Sequence, residues 1–229
     1  MFLQQFGGEM QYFQELSKTK IFATANEFEC QAMMFCFKTR FKTFDKNTKI
    51  ISQGDPMEDV VLILKGSATV ENIDDEGNLS ILMRVKKNEV YGLEAAYAGE
   101  QFYKDSLVAN ERTFVMFMNR HRLITPCENR CKRHEIVIKH ITQILADRNI
   151  MLLDKLNHMS KKTIREKLMS YFKTLTTDNN SYFDLPFNKT ELASYLGVDR
   201  SAMCAELKRM KDDEIIDFDK RSFRLIKRS

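Results

Sequence analysis

Residues 188–211, NKTELASYLGVDRSAMCAELKRMK, constrain the fold more than any other stretch, because they read as two short helices joined by a tight turn. Asn188 can cap a helix with Glu191 three positions on, the capping-box spacing that satisfies the first free amides. Leu192, Ala193 and Leu196 then form an apolar stripe, Gly197 supplies the turn, Val198 fills its corner and Asp199 caps a second helix. In that second helix Met203, Leu207 and Met210 fall at i, i+4, i+7 and are expected to pack inward. Arg200, Ser201, Cys204, Ala205 and Lys208 fall on the opposite side, small or basic, as a helix entering a DNA major groove requires. Lys189 and Thr190, at the start of the first helix, are expected beside the same DNA. A plain helical hairpin could share the Ala and the Gly.

The flanks favour the helix-turn-helix. In IIDFDKRSFRLI the apolar positions Ile216, Phe218, Phe223 and Leu225 have period 2 around a polar tip, Asp219–Ser222, which is a β-hairpin signal. A hairpin directly after a recognition helix is a wing, and Lys220 and Arg221 at its tip can reach phosphates. Upstream, Ile164, Leu168, Phe172 and Leu175 make a third amphipathic helix. Charge follows the same division: residues 160–229 carry 15 Lys/Arg and 11 Asp/Glu, whereas residues 1–159 carry 21 of each. Phosphate neutralisation dominates non-specific DNA binding, so an excess charge confined to this segment has a physical meaning.

The middle of the chain is of another kind. From about residue 41 to 118 it carries short β-rich segments at 49–52, 60–64, 68–71, 81–85, 89–91, 106–109 and 113–118, separated by turn signals such as Gly54-Asp55-Pro56 and Lys65-Gly66. Many short strands at this spacing indicate an antiparallel barrel or roll. Residues 9–37 read as one or two short helices with Phe13, Leu16, Phe22 and Phe28 as packing residues. Between roll and helix-turn-helix, Ile138, Ile141, Leu145, Leu152, Leu156 and Met159 recur at alternating three- and four-residue steps, with Asn149 in the same seam. A helix of about 28 residues is roughly 42 Å long, too long for one small domain to bury. Its seam predicts a two-stranded coiled coil, with Asn149 as a register-fixing polar residue. A helix packed only on its own barrel is the alternative.

Composition sets the outer bounds. The apolar runs are far too short for a membrane span. MFLQQFGGEMQYFQ lacks the basic start and apolar segment of a signal peptide, and five cysteines, an odd number, argue for a reducing compartment; both point to the cytoplasm.

A β-roll, a long helix and a C-terminal winged helix, in that order, resemble the Crp–Fnr (catabolite activator and fumarate-nitrate-reduction regulator) family of bacterial transcription regulators. The residues that carry the resemblance are Gln53-Gly54-Asp55, Leu62-Ile63-Leu64-Lys65-Gly66-Ser67, Gly77, Val90-Tyr91-Gly92 and the helix-turn-helix, and it spans roughly residues 10 to 228. It implies an α+β chain with an N-terminal antiparallel β-roll of jelly-roll topology, like a cyclic-nucleotide-binding domain, over 1–127. A dimerisation helix over 128–159 and a winged helix-turn-helix over 160–229 follow. It also implies a homodimer on a pseudo-palindromic site in double-stranded DNA, RNA polymerase as a further partner, and no membrane.

The resemblance places an effector pocket at Gly92, Leu93, Glu94, Lys104, Asp105 and Ser106. In the cyclic-nucleotide members a Glu beside the glycine takes the ribose hydroxyl, and an Arg-Ser pair takes the phosphate. Here Leu93 follows Gly92, Glu94 is displaced by one place, and the phosphate arm reads Tyr103-Lys104-Asp105-Ser106 with no Arg. Lys104 offers a point charge instead of a bidentate fork, and Asp105 repels a phosphate. Cyclic AMP is therefore not the expected effector, which stays unidentified. The iron–sulfur members need four cysteine ligands, but Cys30 and Cys36 have no third cysteine before Cys127, so no cluster is expected.

Cys127, Cys131 and His134 lie at i, i+4, i+7 and could hold a soft metal. As thiols near Arg130, Lys132 and Arg133 they could instead respond to oxidants. A polar surface turn with inert cysteines is the blander reading, and no metal site is assigned. His140 and His158 are expected to be solvated, and Glu206 to lie on the flank of the recognition helix close to Arg209. Two further readings are a small-ligand module whose winged helix touches only protein, and an enzyme on a cupin-like roll. The latter needs strand histidines, and residues 41–118 contain none.

Overall fold

A computed structural model describes residues 13–77, 79–125, 132–176 and 181–226. The chain divides into two compact units, Met1–Ala146 and Asp147–Ser229. Among the described residues no helix is long and apolar enough to cross a membrane.

The first unit opens with helices α1 (Phe13–Leu16) and α2 (Glu27–Cys36). Asn26 and Glu29 close a capping box at the start of α2, and Leu16 and Phe22 are buried as expected. Phe28 departs from expectation. It lies on the outer face of α2, 69 % exposed, with the Arg133 guanidinium 5.5 Å from its ring centroid.

Two four-stranded antiparallel sheets follow. One has the order β1 (Arg40–Phe44), β8 (Thr113–Asn119), β3 (Asp59–Lys65), β6 (Val90–Tyr91); the other runs β2 (Lys49–Ile51), β7 (Ser106–Ala109), β4 (Ala68–Ile73), β5 (Leu79–Val85). All seven expected strands are present, and β1 is an eighth. It is an edge strand whose cations and exposed positions mask the apolar signal of Phe41 and Phe44. In β3, Val60 to Leu64 are all buried, so the strand reads as one continuous apolar run without alternation. The β3–β4 turn depends on Gly66. At φ +84° it is in the left-handed region, and a Cβ there would lie 2.7 Å from Thr113 Oγ1.

Helix α3 (Leu93–Ala98) follows Gly92, and α4 (Arg120–Ile124) follows β8. Helix α5 runs without interruption from Lys132 to Met159. Its first half belongs to the roll: Val137, Ile141 and Ile144 are buried in the roll core, and Leu145 packs partly against it. This corrects the seam. Ile141 is fully covered within its own chain and is not available to a second copy, because it lies in the core of the first unit with Val137 and Ile144. Asn149, Leu152 and Leu156 are exposed.

In the second unit, α6 (Ile164–Leu175) begins with a capping box between Thr163 and Glu166. α7 (Lys189–Leu196) and α8 (Arg200–Asp212) form the helix pair. A three-stranded sheet completes it in the order β10 (Ile216–Asp219), β11 (Ser222–Leu225), β9 (Tyr182–Asp184). β10 and β11 are the expected hairpin. β9, three residues long, is too short to show a period. Leu168, Phe172, Leu192, Leu196, Met203, Leu207, Met210 and Phe223 form one buried core, with Phe172 against Phe183 and Phe223 at ring-centroid distances of 5.8 and 5.4 Å.

Candidate nucleic-acid interface

The helix pair is built by local signals. Asn188 Oδ1 accepts the Thr190 and Glu191 amides at 2.9 and 3.0 Å, and Glu191 Oε2 accepts the Asn188 amide at 2.8 Å. Gly197, at φ +61°, turns the chain in the left-handed region that favours glycine, and Asp199 caps α8 by accepting the Ala202 amide at 2.8 Å. Met203, Leu207 and Met210 point into the core as their spacing requires. Arg200, Ser201, Ala205 and Lys208 are therefore exposed on the opposite face, with Cys204 half-buried between them.

Electrostatics separates the cations into two groups. Arg200, Lys208, Lys220 and Arg221 make no ion pair among the described residues, so all four are available to phosphates or base edges. Others are held in place. Glu206 accepts from Arg165 Nε at 2.5 Å and Arg209 Nη1 at 3.4 Å, and Arg165 also reaches Asp213 at 2.8 Å. Glu206 is thus neutralised at the flank, as its neighbour Arg209 suggested. Lys211 lies 2.9 Å from Asp217, and its hydrogen bond holds that carboxyl below the usual carboxylate range. The Lys189 and Lys211 ammonium groups lie 5.5 and 5.0 Å from the Phe218 ring centroid, while Phe218 stacks on Phe223. The ring carries both cations at the base of the wing. At the wing tip Lys220 has φ +51°, and Lys220 and Arg221 are both exposed.

The cassette after Gly92 is occupied by its own neighbours. Leu93 is fully buried. Lys104 Nζ is 2.6 Å from Glu100 Oε1, Asp105 Oδ1 accepts from Asn72 Nδ2 at 3.0 Å, and buried Ser106 Oγ accepts the Gln53 amide at 3.0 Å. Tyr91 O–H donates to the Asp105 carbonyl at 3.3 Å. Lys104, Asp105 and Ser106 thus each have a partner within the roll. An open cleft of about 400 Å³ lies elsewhere, lined by residues that include Arg40, Lys42, Phe44, Lys49 and Phe117, and by none of the six cassette residues.

The histidines of α5 are the largest departure from the sequence reading. His134 is buried, its Nε2–H donating to the Leu123 carbonyl at 3.3 Å and its ring edge-on to Phe37. Cys127 and Cys131 lie outside the described residues. His140 is half-buried and donates from Nδ1 to the Ile21 carbonyl at 3.1 Å. His158, expected in solvent, is 1 % exposed. None of the three faces water freely, because a long helix pressed against two cores covers more of its polar face than periodicity reveals.

The fold defines a winged-helix DNA-binding protein carrying a roll of the cyclic-nucleotide-binding type. The family model described as the cyclic nucleotide-binding domain matches residues 41–130, and that of the Crp-like helix-turn-helix domain matches residues 166–229. The chain belongs to the Crp–Fnr family of transcription regulators. Among solved structures it is similar to the c-di-GMP-responsive global regulator CLP of Xanthomonas campestris, at TM-score 0.58 and 15 % identity over 87 % of this chain and 99 % of that one. CprK complexed with OCPA gives 0.65 and 14 % over 85 % and 88 %; FixK2 of Bradyrhizobium japonicum gives 0.51 and 18 % over 83 % and 93 %. At these identities the likeness is one of fold. No curated protein sequence matched.

Proposed function

We propose that this Crp-like DNA-binding regulator acts in the cytoplasm as a homodimer on a pseudo-palindromic operator. Arg200 reads a base edge, Lys220 and Arg221 hold phosphate, and the roll answers a signal other than cyclic AMP. The observation that carries the DNA assignment is the face of α8 and the wing. Among the described residues Arg200, Lys208, Lys220 and Arg221 have no carboxylate partner and lie there with the small side chains of α8, whereas Arg165, Arg209 and Lys211 are held by Glu206, Asp213 and Asp217. Pairing along α5 is supported by Leu152 and Leu156, 60 % and 63 % exposed, with Asn149 between them and the roll. Two copies bring two recognition helices to half-sites one helical turn apart, and RNA polymerase is the partner such a regulator needs to act on transcription. The signal must bind the two arrangements of the pair with different affinity.

The direct test separates reading from anchoring. Arg200→Ala should flatten preference at one base pair of each half-site, since a bidentate Arg–guanine pair is worth about 1–3 kcal/mol of discrimination. Lys220→Ala should weaken all sequences alike and lower the salt slope by about one unit per subunit. Selected-site libraries at two salt concentrations measure both. The reverse pattern would mean that the wing reads sequence and Arg200 anchors.

A second test addresses the cassette. Calorimetric titration with cyclic AMP should show no binding tighter than about millimolar, or roughly −4 kcal/mol, because Lys104, Asp105 and Ser106 are engaged within the roll. Micromolar affinity would show that these internal bonds open to admit the ligand.

A further inference from the structure

His158 closes the last turn of α5 onto the helix-turn-helix. It is 1 % exposed, and its Nδ1 lies 2.8 Å from Ser170 Oγ on α6. The ring meets Tyr171 of α6 nearly edge-on at 5.7 Å and Tyr195 of α7 at 6.3 Å. Tyr195 packs in turn on Tyr171 and Phe187 at 5.2 and 5.0 Å. One residue on, the Met159 methyl occupies the space beside Gly197, only 2.9 Å from where a Cβ would stand. The end of α5 thus rests on α6 and α7 through one imidazole, and on the turn before the recognition helix through one thioether.

We propose that this contact is a proton-sensitive clamp: a neutral His158 ring holds α5 against α6 and α7, and its protonation on mild acidification releases the winged helix and weakens DNA binding. The inference rests on the DNA-binding reading for its consequence, though not for the clamp itself. The surroundings favour a neutral ring. Tyr171 and Tyr195 are phenols whose pKa values burial pushes up, so they stay uncharged and offer no counter-ion. Among the described residues no carboxylate forms an ion pair with the ring. On α5, Asp154 one turn earlier favours the charged ring, whereas Lys161 beyond the helix end opposes it; Lys155 lies over the Tyr195 ring at 5.5 Å. From α6 the ring meets Ser170 and Tyr171, and from α7 it meets Tyr195. Burial outweighs Asp154 and holds the imidazole below its ordinary value near 6.5. The sign follows. An exposed imidazole protonates near 6.5 while the clamped ring still resists, so the clamp is complete above that pH and lost as pH falls through the clamped ring's own lower value. Each unit of separation between the two corresponds to about tenfold in the clamping equilibrium.

The test compares the full-length wild-type chain with His158→Leu, which keeps apolar bulk and removes the proton site, on a duplex selected from a random library by the wild type at pH 7.5. Wild-type affinity should fall further than that of His158→Leu between pH 7.5 and 5.5, by up to about tenfold, the ceiling for one imidazole whose free value is near 6.5. Hydrogen exchange at residues 156–164 should accelerate on acidification in the wild type alone. Should the leucine variant not fold, histidine-selective NMR on the wild type decides, with His158 expected to titrate below 6.5. Parallel acid loss in both chains, unchanged exchange at 156–164, or a His158 pKa at or above 6.5 would overturn the clamp. Acid-accelerated exchange in a chain that binds no selected duplex would uphold the clamp and refute the DNA reading instead.

Discussion

Leu152→Asp is expected to sediment as a monomer and to lose about 10²–10⁴-fold in affinity for a two-half-site duplex, because the second half-site no longer benefits from tethering. In the single chain Leu152 is 60 % exposed, so a carboxylate there meets water and leaves both units folded. Across a coiled-coil seam the same carboxylate faces its own copy in an apolar layer and must be desolvated beside a like charge. This asymmetry makes Leu152 a better probe than Leu145, which packs partly on the roll core and would confound dissociation with unfolding. An intact dimer of Leu152→Asp in sedimentation, with unchanged affinity, would remove the α5 seam as the pairing surface.

Phe172→Ala is expected to unfold the DNA-binding unit alone. Phe172 is fully buried, with Tyr171, Phe183 and Phe223 around its ring at 6.1, 5.8 and 5.4 Å. Removing such a ring costs about 3–5 kcal/mol in lost transfer energy and residual cavity, a large share of the roughly 5–15 kcal/mol that holds a domain folded. A unit of this size should melt roughly 15 °C or more lower, and DNA binding should disappear at temperatures where the roll stays protected from exchange. Calorimetry showing one unshifted transition would mean that the winged-helix core relaxes into the cavity far better than its packing suggests.

Much of the DNA-binding unit was legible because its signals are local. A capping box, a glycine in the left-handed region and an i, i+4, i+7 stripe act within a few residues, so Asn188, Gly197, Asp199, Met203, Leu207 and Met210 are found where their spacing puts them. The roll's strands were legible for a similar reason, since turn residues punctuate them. Strand β9 was not: three residues earn their place only by pairing with β11. The state of the cassette was half legible. The absence of an Arg could be read from the letters, whereas the engagement of Ser106 by the Gln53 amide depends on a neighbour 53 positions away.

By itself the sequence determined the order of the parts, the side of α8 that is apolar and the charge that marks the last third of the chain. These follow from period, capping and composition, which operate along the backbone. Only the tertiary structure decided what covers each apolar or polar face. Periodicity along α5 put Ile141 and Leu152 in one stripe, but the roll covers the first and leaves the second exposed. Periodicity put His158 on a charged, solvated face, yet Ser170, Tyr171 and Tyr195 enclose it. Helical spacing specifies the direction in which a side chain points. Whether water, its own chain or a second copy lies in that direction is set by contacts between residues far apart in sequence.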